Sequence, residues 1–492
     1  MKYESKLFST DQIMDIDILM DEDDWNNMLE NAISEEYYSC NVVVNGKTFY
    51  SVGIRPKGNT SLSSIVNDPD TDRYSFKLEF DHYIEGQTCY GLDKLILNNN
   101  YADATNMKEA IVYDMYQYLG VDASLYNYAK ISVNGDYRGV YLALEAVEDS
   151  FMLRNYGTED GNLYKPESMG IGGGVDGNGF PQKGEMPDGE DFPQKGEMPD
   201  GADFPQKGEM PDGEDFPQKG EMPDGEDFPQ MGEAPNGEVA DIKMGIMGGN
   251  GGADLNYTDD DLDSYSTIWD GEITDSDKKD HKRVVEALKN ISEGTDLETY
   301  MDVDNILKYM AVHTFVVNDD SLSGTMAHNY YLYEYNGKLN ILPWDYNLSF
   351  GGMSMGGKMG GQSLGATSVI NDAIDTPFSI TDFFNALLEN EEYLEQYHGY
   401  LNELVEKYVN GGEFEKTYER IRSQIDDLVG NDPTAFYSYE EYEEAANMLI
   451  EVVQLRAKSV SGQLAGTIPS TDEGQQQDSS NLIDGSDIDL SV

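Results

Sequence analysis

Cysteine is almost missing from this chain: Cys40 and Cys89 are the only two in 492 residues. One disulfide and two buried thiols are both open readings, and a cysteine-based zinc site is excluded by count. Histidine is scarce as well, with five residues scattered along the chain, which argues against a histidine-rich metal centre. Basic charge is short: 32 Lys and Arg stand against 94 Asp and Glu, a formal net charge of −62. Such a surface repels nucleic acid and anionic lipid, and it suits divalent cations and basic proteins. No segment reaches the roughly 18 apolar residues of a membrane span. The start, MKYESKLFST, lacks the apolar core of a signal peptide, so the expectation is either a cytoplasmic protein or a mature or trimmed form.

What is present falls into two ordered stretches around an unusual middle. MDIDILM alternates apolar and acidic residues, as a half-buried strand does. CNVVVNGKTFYSVGIRPKG reads as a hairpin turning at Asn45-Gly46, SFKLEF as a further strand, and YAKISVNGDYRGVYLALEAV as a second hairpin around Asn134-Gly135. Between them, NMKEAIVYDMYQYLG has helical spacing and stops at Gly120. From Ser168 to about Asp254 the chain is mostly Gly, Pro, Asp, Glu and Met, and carries a 12-residue repeat, FPQKGEMPDGED, with phenylalanines at 180, 192, 204, 216 and 228. Two prolines and a single aromatic per unit cannot repay the ordering entropy, so the segment is expected to be disordered rather than a solenoid. Helical periodicity returns in DHKRVVEALKNI and NILKYMAVHTFVVN, followed by a hairpin at Asn336-Gly337, a mobile Gly/Met loop and two long amphipathic helices.

The stretch NDDSLSGTMAHNYYLYEYNGKLNILPWDYNLSFGG is the richest in chemistry. An acidic pair, Asp319-Asp320, ends a helix and opens a loop, Asn329 closes that loop, a hairpin follows, and Asp345 stands directly after its second strand. Phosphoryl transfer in kinases uses this order: a base Asp, an Asn for metal, then a metal-holding Asp. Magnesium requires hard oxygen ligands, and a hairpin fixes two ligand positions relative to one another. Capping and turn aspartates of an acidic protein would give the same spacing. Upstream, Lys57 lies in a polar turn and Lys77 on the next strand, where either could neutralise phosphate charge or simply flank a hairpin. Glu109 could pair with one of these lysines. Glu145 would form a hinge at an adenine edge, or else be a glutamate at the rim of the core.

Several of these motifs, in this order, resemble the CotH-type (spore coat protein H) atypical protein kinase family. They are RPKGNTSL, LNNNYADATNMKEAIVYDMYQYLG, NGDYRGVYLALE and HNYYLYEYNGKLNILPWDYNLSFG, with RAKSVSGQLAGTIPS near the end. The likeness spans roughly residues 7–167 and 260–470. It implies an α+β, divergent two-lobed protein-kinase-like fold, with an N-terminal lobe over 7–167 and a mainly helical catalytic lobe over 259–466; composition sets the disordered acidic repeat insert over 168–258 between them and an unfolded Ser-, Asp- and Gln-rich tail over 467–492. It implies ATP-dependent Ser/Thr phosphorylation with ATP and Mg2+ or Mn2+ as cofactors. The partner would be a basic or Ser-rich protein, and the location the spore coat or the extracellular envelope. The family's catalytic Asp falls on Asp320 or Asp319 and its metal Asp on Asp345. Two positions depart from the pattern: Asn347 stands where many relatives carry a second acid, and the loop from Asp320 to Asn329 is longer than in ordinary kinases, which weakens Asn329 as a ligand. A non-catalytic acidic scaffold and a nucleotide-binding pseudokinase are the competing readings.

Overall fold

A computed structural model describes residues 1–167, 252–352, 365–378 and 380–490. The acidic repeats, expected to be disordered, and residues 353–364 of the Gly/Met loop lie outside the described residues. The alternation in MDIDIL becomes β1 (Met14–Leu19), with Met14, Ile16 and Ile18 buried. It is joined by β2 (Tyr38–Val44), β3 (Lys47–Lys57), β4 (Ser75–Glu79), β5 (Lys94–Asn98), β6 (Tyr126–Val133) and β7 (Asp136–Glu145). Their order, β1-β2-β3-β4-β5-β7-β6, closes on itself because β6 pairs in parallel with β1. Closure removes the free strand edges that would invite aggregation. A second, three-stranded sheet runs β10-β9-β8, from β8 (Asn162–Tyr164), β9 (Tyr330–Tyr335) and β10 (Lys338–Pro343).

All three Asn-Gly pairs make the expected hairpin turns. Their φ values are positive at both residues, 50° and 79° at Asn45-Gly46, 52° and 86° at Asn134-Gly135, and 54° and 82° at Asn336-Gly337. Left-handed turns of this kind match the twist of the flanking strands, and Asn and Gly tolerate that region best. The helix Lys108–Leu119 stops at Gly120 in the left-handed conformation (φ 72°). Lys278–Ser292 begins with a capping box between Asp277 and Asp280. Val303–Val316, Glu391–Glu403, Glu413–Val429 and Tyr439–Leu464 complete the main helices.

The α+β class holds, and the two-lobed kinase-like architecture does not. The strands form a closed seven-stranded barrel where a strand-rich lobe of a two-lobed fold was expected, and the described residues belong to one compact unit. The physical reason is a shared core. One apolar cluster joins Ile96, Leu142 and Leu144 of the barrel to Ile111 and Met115 on the Lys108–Leu119 helix, and onward to Val312, Phe315 and Val453. Ile16, Val42, Ile54, Leu78 and their neighbours form the second cluster. The strand β8, placed by sequence with the first segment, pairs with β9 from the second, so the chain on either side of the repeats is woven into one sheet.

The tail is also ordered where it was expected to be unfolded. It contains a short helix, Asp472–Gln477. Beyond it the Asn371 side chain holds Ile483 at both ends, donating to its carbonyl and accepting from its N–H at 2.8 Å each. Leu490 is buried. Cys40 and Cys89 are both buried and free, and burial pushes each thiol up to about 12. Among the described residues no helix is long and apolar enough to cross a membrane.

Candidate functional site

Three elements bring charge to one place. The end of β3 supplies Lys57, the last residue of β5 supplies Asn98, and the first turn of the Lys108–Leu119 helix supplies Glu109. Lys57 Nζ donates to Asn98 Oδ1 at 3.3 Å, and Asn98 Nδ2 donates to Glu109 Oε2 at 2.8 Å. The expected pairing of Glu109 with a lysine therefore takes an indirect form, with an amide standing between the two charges. Asp345 follows β10 with φ 59°, a left-handed conformation uncommon outside glycine. Burial, and next the Asp345 carboxylate, push Glu109 up to about 8. Burial pulls the Lys57 ammonium below its ordinary value, with Asp345 the strongest opposing charge. Asp345 is itself raised by burial, against the pull of Lys57. Lys57, Glu109 and Asp345 thus form one electrostatic unit.

The loop after Val303–Val316 delivers the second acid. It leaves the helix through Val317 at φ 50°, a strained position for a β-branched residue. Ser321 Oγ and Ser323 Oγ both donate to the Asn318 carbonyl, at 2.7 and 3.1 Å, and His313 Nε2 lies 2.8 Å from Ser323 Oγ. Gly324 passes so close to Asp319 that an added Cβ would lie 1.7 Å from its carbonyl oxygen, so no side chain fits there. At the far end of the loop, His328 Nε2 lies 2.6 Å from Asp320 Oδ1, while Asn329 Nδ2 donates to Asp320 Oδ2 at 3.0 Å and to its carbonyl at 2.7 Å. Both carboxylate oxygens of Asp320 are held, and each keeps a second lone pair. Asp320 and His328 both act electrostatically on Asp345. Asp319 does not enter that set: burial raises it, and the charge it acts on is Asp372.

Lys77 stands apart from Asp345 in its pairing. Its Nζ donates to Glu148 Oε1 at 2.6 Å, and Lys94 Nζ reaches the other oxygen at 2.5 Å. Burial would raise Glu148, but the two lysines overcome it and hold the carboxyl down at about 2. Glu145 does not join the site. It is fully buried at the end of β7, bound by Arg154, the Tyr3 hydroxyl and the Leu125 N–H. Asn347 donates to the Tyr101 carbonyl at 2.9 Å. A carboxylate could not make that bond.

Sequence reasoning missed His328, Lys165, Asn98 and Asn318. His328 stands next to Asn329, and an aromatic-rich hairpin start offers no signal for it. Lys165 lies over the Trp344 ring at 5.5 Å, the same ring that Lys57 faces at 5.4 Å. Two buried acceptors near Asp345 have no donor: Glu109 Oε1 and Asn318 Oδ1. Hard oxygens without donors beside a carboxylate suit a divalent cation, so the residues present fit the metal expected here.

With this geometry in hand, the comparison with known proteins can be stated. The family model described as CotH kinase protein matches residues 54–460, most of the chain. The chain belongs to the CotH kinase protein family. This CotH family is linked to the spore coat, and the match runs from the end of β3 almost to the end of the Tyr439–Leu464 helix, covering Lys57, Glu109, Asp320 and Asp345 together. None of the curated proteins matches this CotH chain.

Proposed function

We propose that this CotH-family chain is an ATP-dependent protein Ser/Thr kinase acting on coat or envelope proteins. The observation that carries this reading is the convergence of Asp320, Asp345 and Lys57, each from a different element, inside the span matched by the family. Asp320 is the group to receive the acceptor hydroxyl's proton, held in place by His328 and Asn329. Asp345 is the carboxylate to hold Mg2+ or Mn2+. The cation, when bound, would neutralise nucleotide phosphate oxygens. Lys57 adds positive charge beside Asp345, whereas Lys77 is committed to Glu148 and serves the frame around the site. Catalysis by such a site consists of positioning and charge neutralisation.

Incubation with γ-labelled ATP and Mg2+ or Mn2+, with a basic Ser-containing protein as acceptor, tests the reading. Labelling is expected from the unsubstituted chain and not from Asp345→Asn, a nearly isosteric change. Saturable ATP binding without labelling would make the chain a pseudokinase. Neither binding nor labelling would leave a scaffold.

A further inference from the structure

The two orphaned oxygens near Asp345 demand a partner. Glu109 is 4 % exposed, and its Oε1 accepts no hydrogen bond, since Asn98 bonds the other oxygen. Asn318 is 1 % exposed; its Nδ2 points to the Asp345 carbonyl at 3.4 Å, leaving Oδ1 with no donor. Turning that amide over would set two acceptors face to face, so the orphan is an oxygen. A buried acceptor with no protein donor is costly, and native proteins keep one where water or a ligand satisfies it. Glu109 has no direct ion pair to relieve it, because Asn98 intercepts Lys57. The N–H of Tyr346, the residue next to Asp345, lies near that carboxyl without making a hydrogen bond to Oε1.

We propose that Glu109 Oε1 and Asn318 Oδ1 complete, with the Asp345 carboxylate, a divalent-cation site from which Asn329 is absent. The inference rests on reading Asp345 as the cation residue. Asn329 has other work: its Nδ2 bonds both the carbonyl and Oδ2 of Asp320, which makes it a positioning residue for that acid. Two carboxylate oxygens and one amide oxygen, with room left for water or phosphate oxygens, are how Mg2+ and Mn2+ are ordinarily held. Among the described residues no group of three or more His, Cys, Asp or Glu could hold a metal. The site assigned here has two carboxylates, and its third ligand is an amide. The three ligands come from the Lys108–Leu119 helix, the loop after Val303–Val316 and the turn after β10, so one ion would join three elements.

Tb3+ is a suitable probe, since it seeks hard oxygens and emits when a nearby excited tryptophan transfers energy to it. Trp344 is adjacent to Asp345, and the repeat unit FPQKGEMPDGED has neither Trp nor Tyr, so ions held by the acidic repeats stay dark. The unsubstituted full chain is expected to show saturable sensitised emission that Mn2+ displaces. Asp345→Asn, Glu109→Gln and Asn318→Ala should each weaken Tb3+ at least about tenfold, and Asn329→Ala should leave it within about twofold. Melting temperatures identify any variant that fails to fold, and Glu109→Gln, nearly isosteric, decides the matter if Asn318→Ala does not fold. Unchanged binding by Glu109→Gln, loss of binding in Asn329→Ala, or no saturable emission from the unsubstituted chain would each overturn the inference. A chain that binds Tb3+ here with the expected variant pattern and labels no acceptor upholds this site and retires the kinase reading alone.

Discussion

Asp319 and Asp320 are neighbours in sequence and face different surroundings. Asp320 is clasped by His328 and Asn329 and acts on Asp345, while Asp319 is half-buried and acts on Asp372. If Asp320 receives the acceptor proton, Asp320→Ala should lower the labelling rate by about two to four orders of magnitude, the usual worth of a positioned general base. Asp319→Ala should cost far less rate and show mainly as a lower melting temperature. Single-turnover labelling together with thermal melts would separate these effects, and a larger rate loss in the Asp319 variant would move the assignment by one residue. The nearness of Asp320 to Asp345 was legible in the sequence because a helix, a loop and a hairpin space them. The Asn98 bridge was not legible, since it depends on β5 lying beside β3 only through β4, a register no local pattern records. Of the two readings of Glu145, a hinge or a glutamate at the rim of the core, the structure favours the second, since Arg154 and Tyr3 close over it.

At the scale of elements, Glu148 is a joint. It lies just beyond β7 and binds Lys77 of β4 and Lys94 of β5, so one carboxylate ties two barrel strands to the segment that leaves the barrel. Its folded-state value, about 2, lies below its ordinary value of 4.5. The folded chain therefore binds fewer protons than the unfolded chain between these limits, and the stability from Glu148, complete above about 4.5, is lost as pH falls toward 2. Glu148→Gln should cost ~3 kcal/mol at neutral pH, because two largely but not fully buried ammonium groups lose their anion. Denaturant melts across this range should show the gap between the two proteins narrowing as pH falls, and a constant gap would mean that the ion pairs contribute little. Elements whose limits are set by their own residues were readable in advance, as with the Asn-Gly hairpins and the helix ending at Gly120. Barrel closure was not, because the β1–β6 pairing joins strands more than a hundred residues apart. Nor was the tail's order, because a Ser-, Asp- and Gln-rich stretch reads as unfolded until Asn371 offers its amide to Ile483.

At the scale of the whole molecule, the acidic repeats contribute heavily to a net charge of −62 and none of the residues gathered around Asp345. Replacing residues 176–238 with a short Gly/Ser linker should leave melting temperature and labelling of a small generic substrate nearly unchanged, because each doubling of a loop costs only about 0.6 kcal/mol. Binding to a basic protein acceptor should weaken at low salt and differ little at high salt. A collapse in melting temperature would show that the repeats help to hold the fold. The anchoring of the flanking chain favours the first outcome. Lys165 N–H bonds the Gly271 carbonyl at 2.7 Å, Gly252 N–H bonds the Met326 carbonyl at 2.6 Å, and a Cβ on Gly252 would lie 2.9 Å from the Pro166 carbonyl. The segments leading out and leading back are pinned in place, so the gap to be bridged is the same whether four units or forty lie between. Repetitive coding sequence gains and loses units by slippage during replication, and most proteins tolerate such changes poorly. Here repeat copy number should be able to change at little cost to the folded body, like beads added to a string whose two ends are tied to one post.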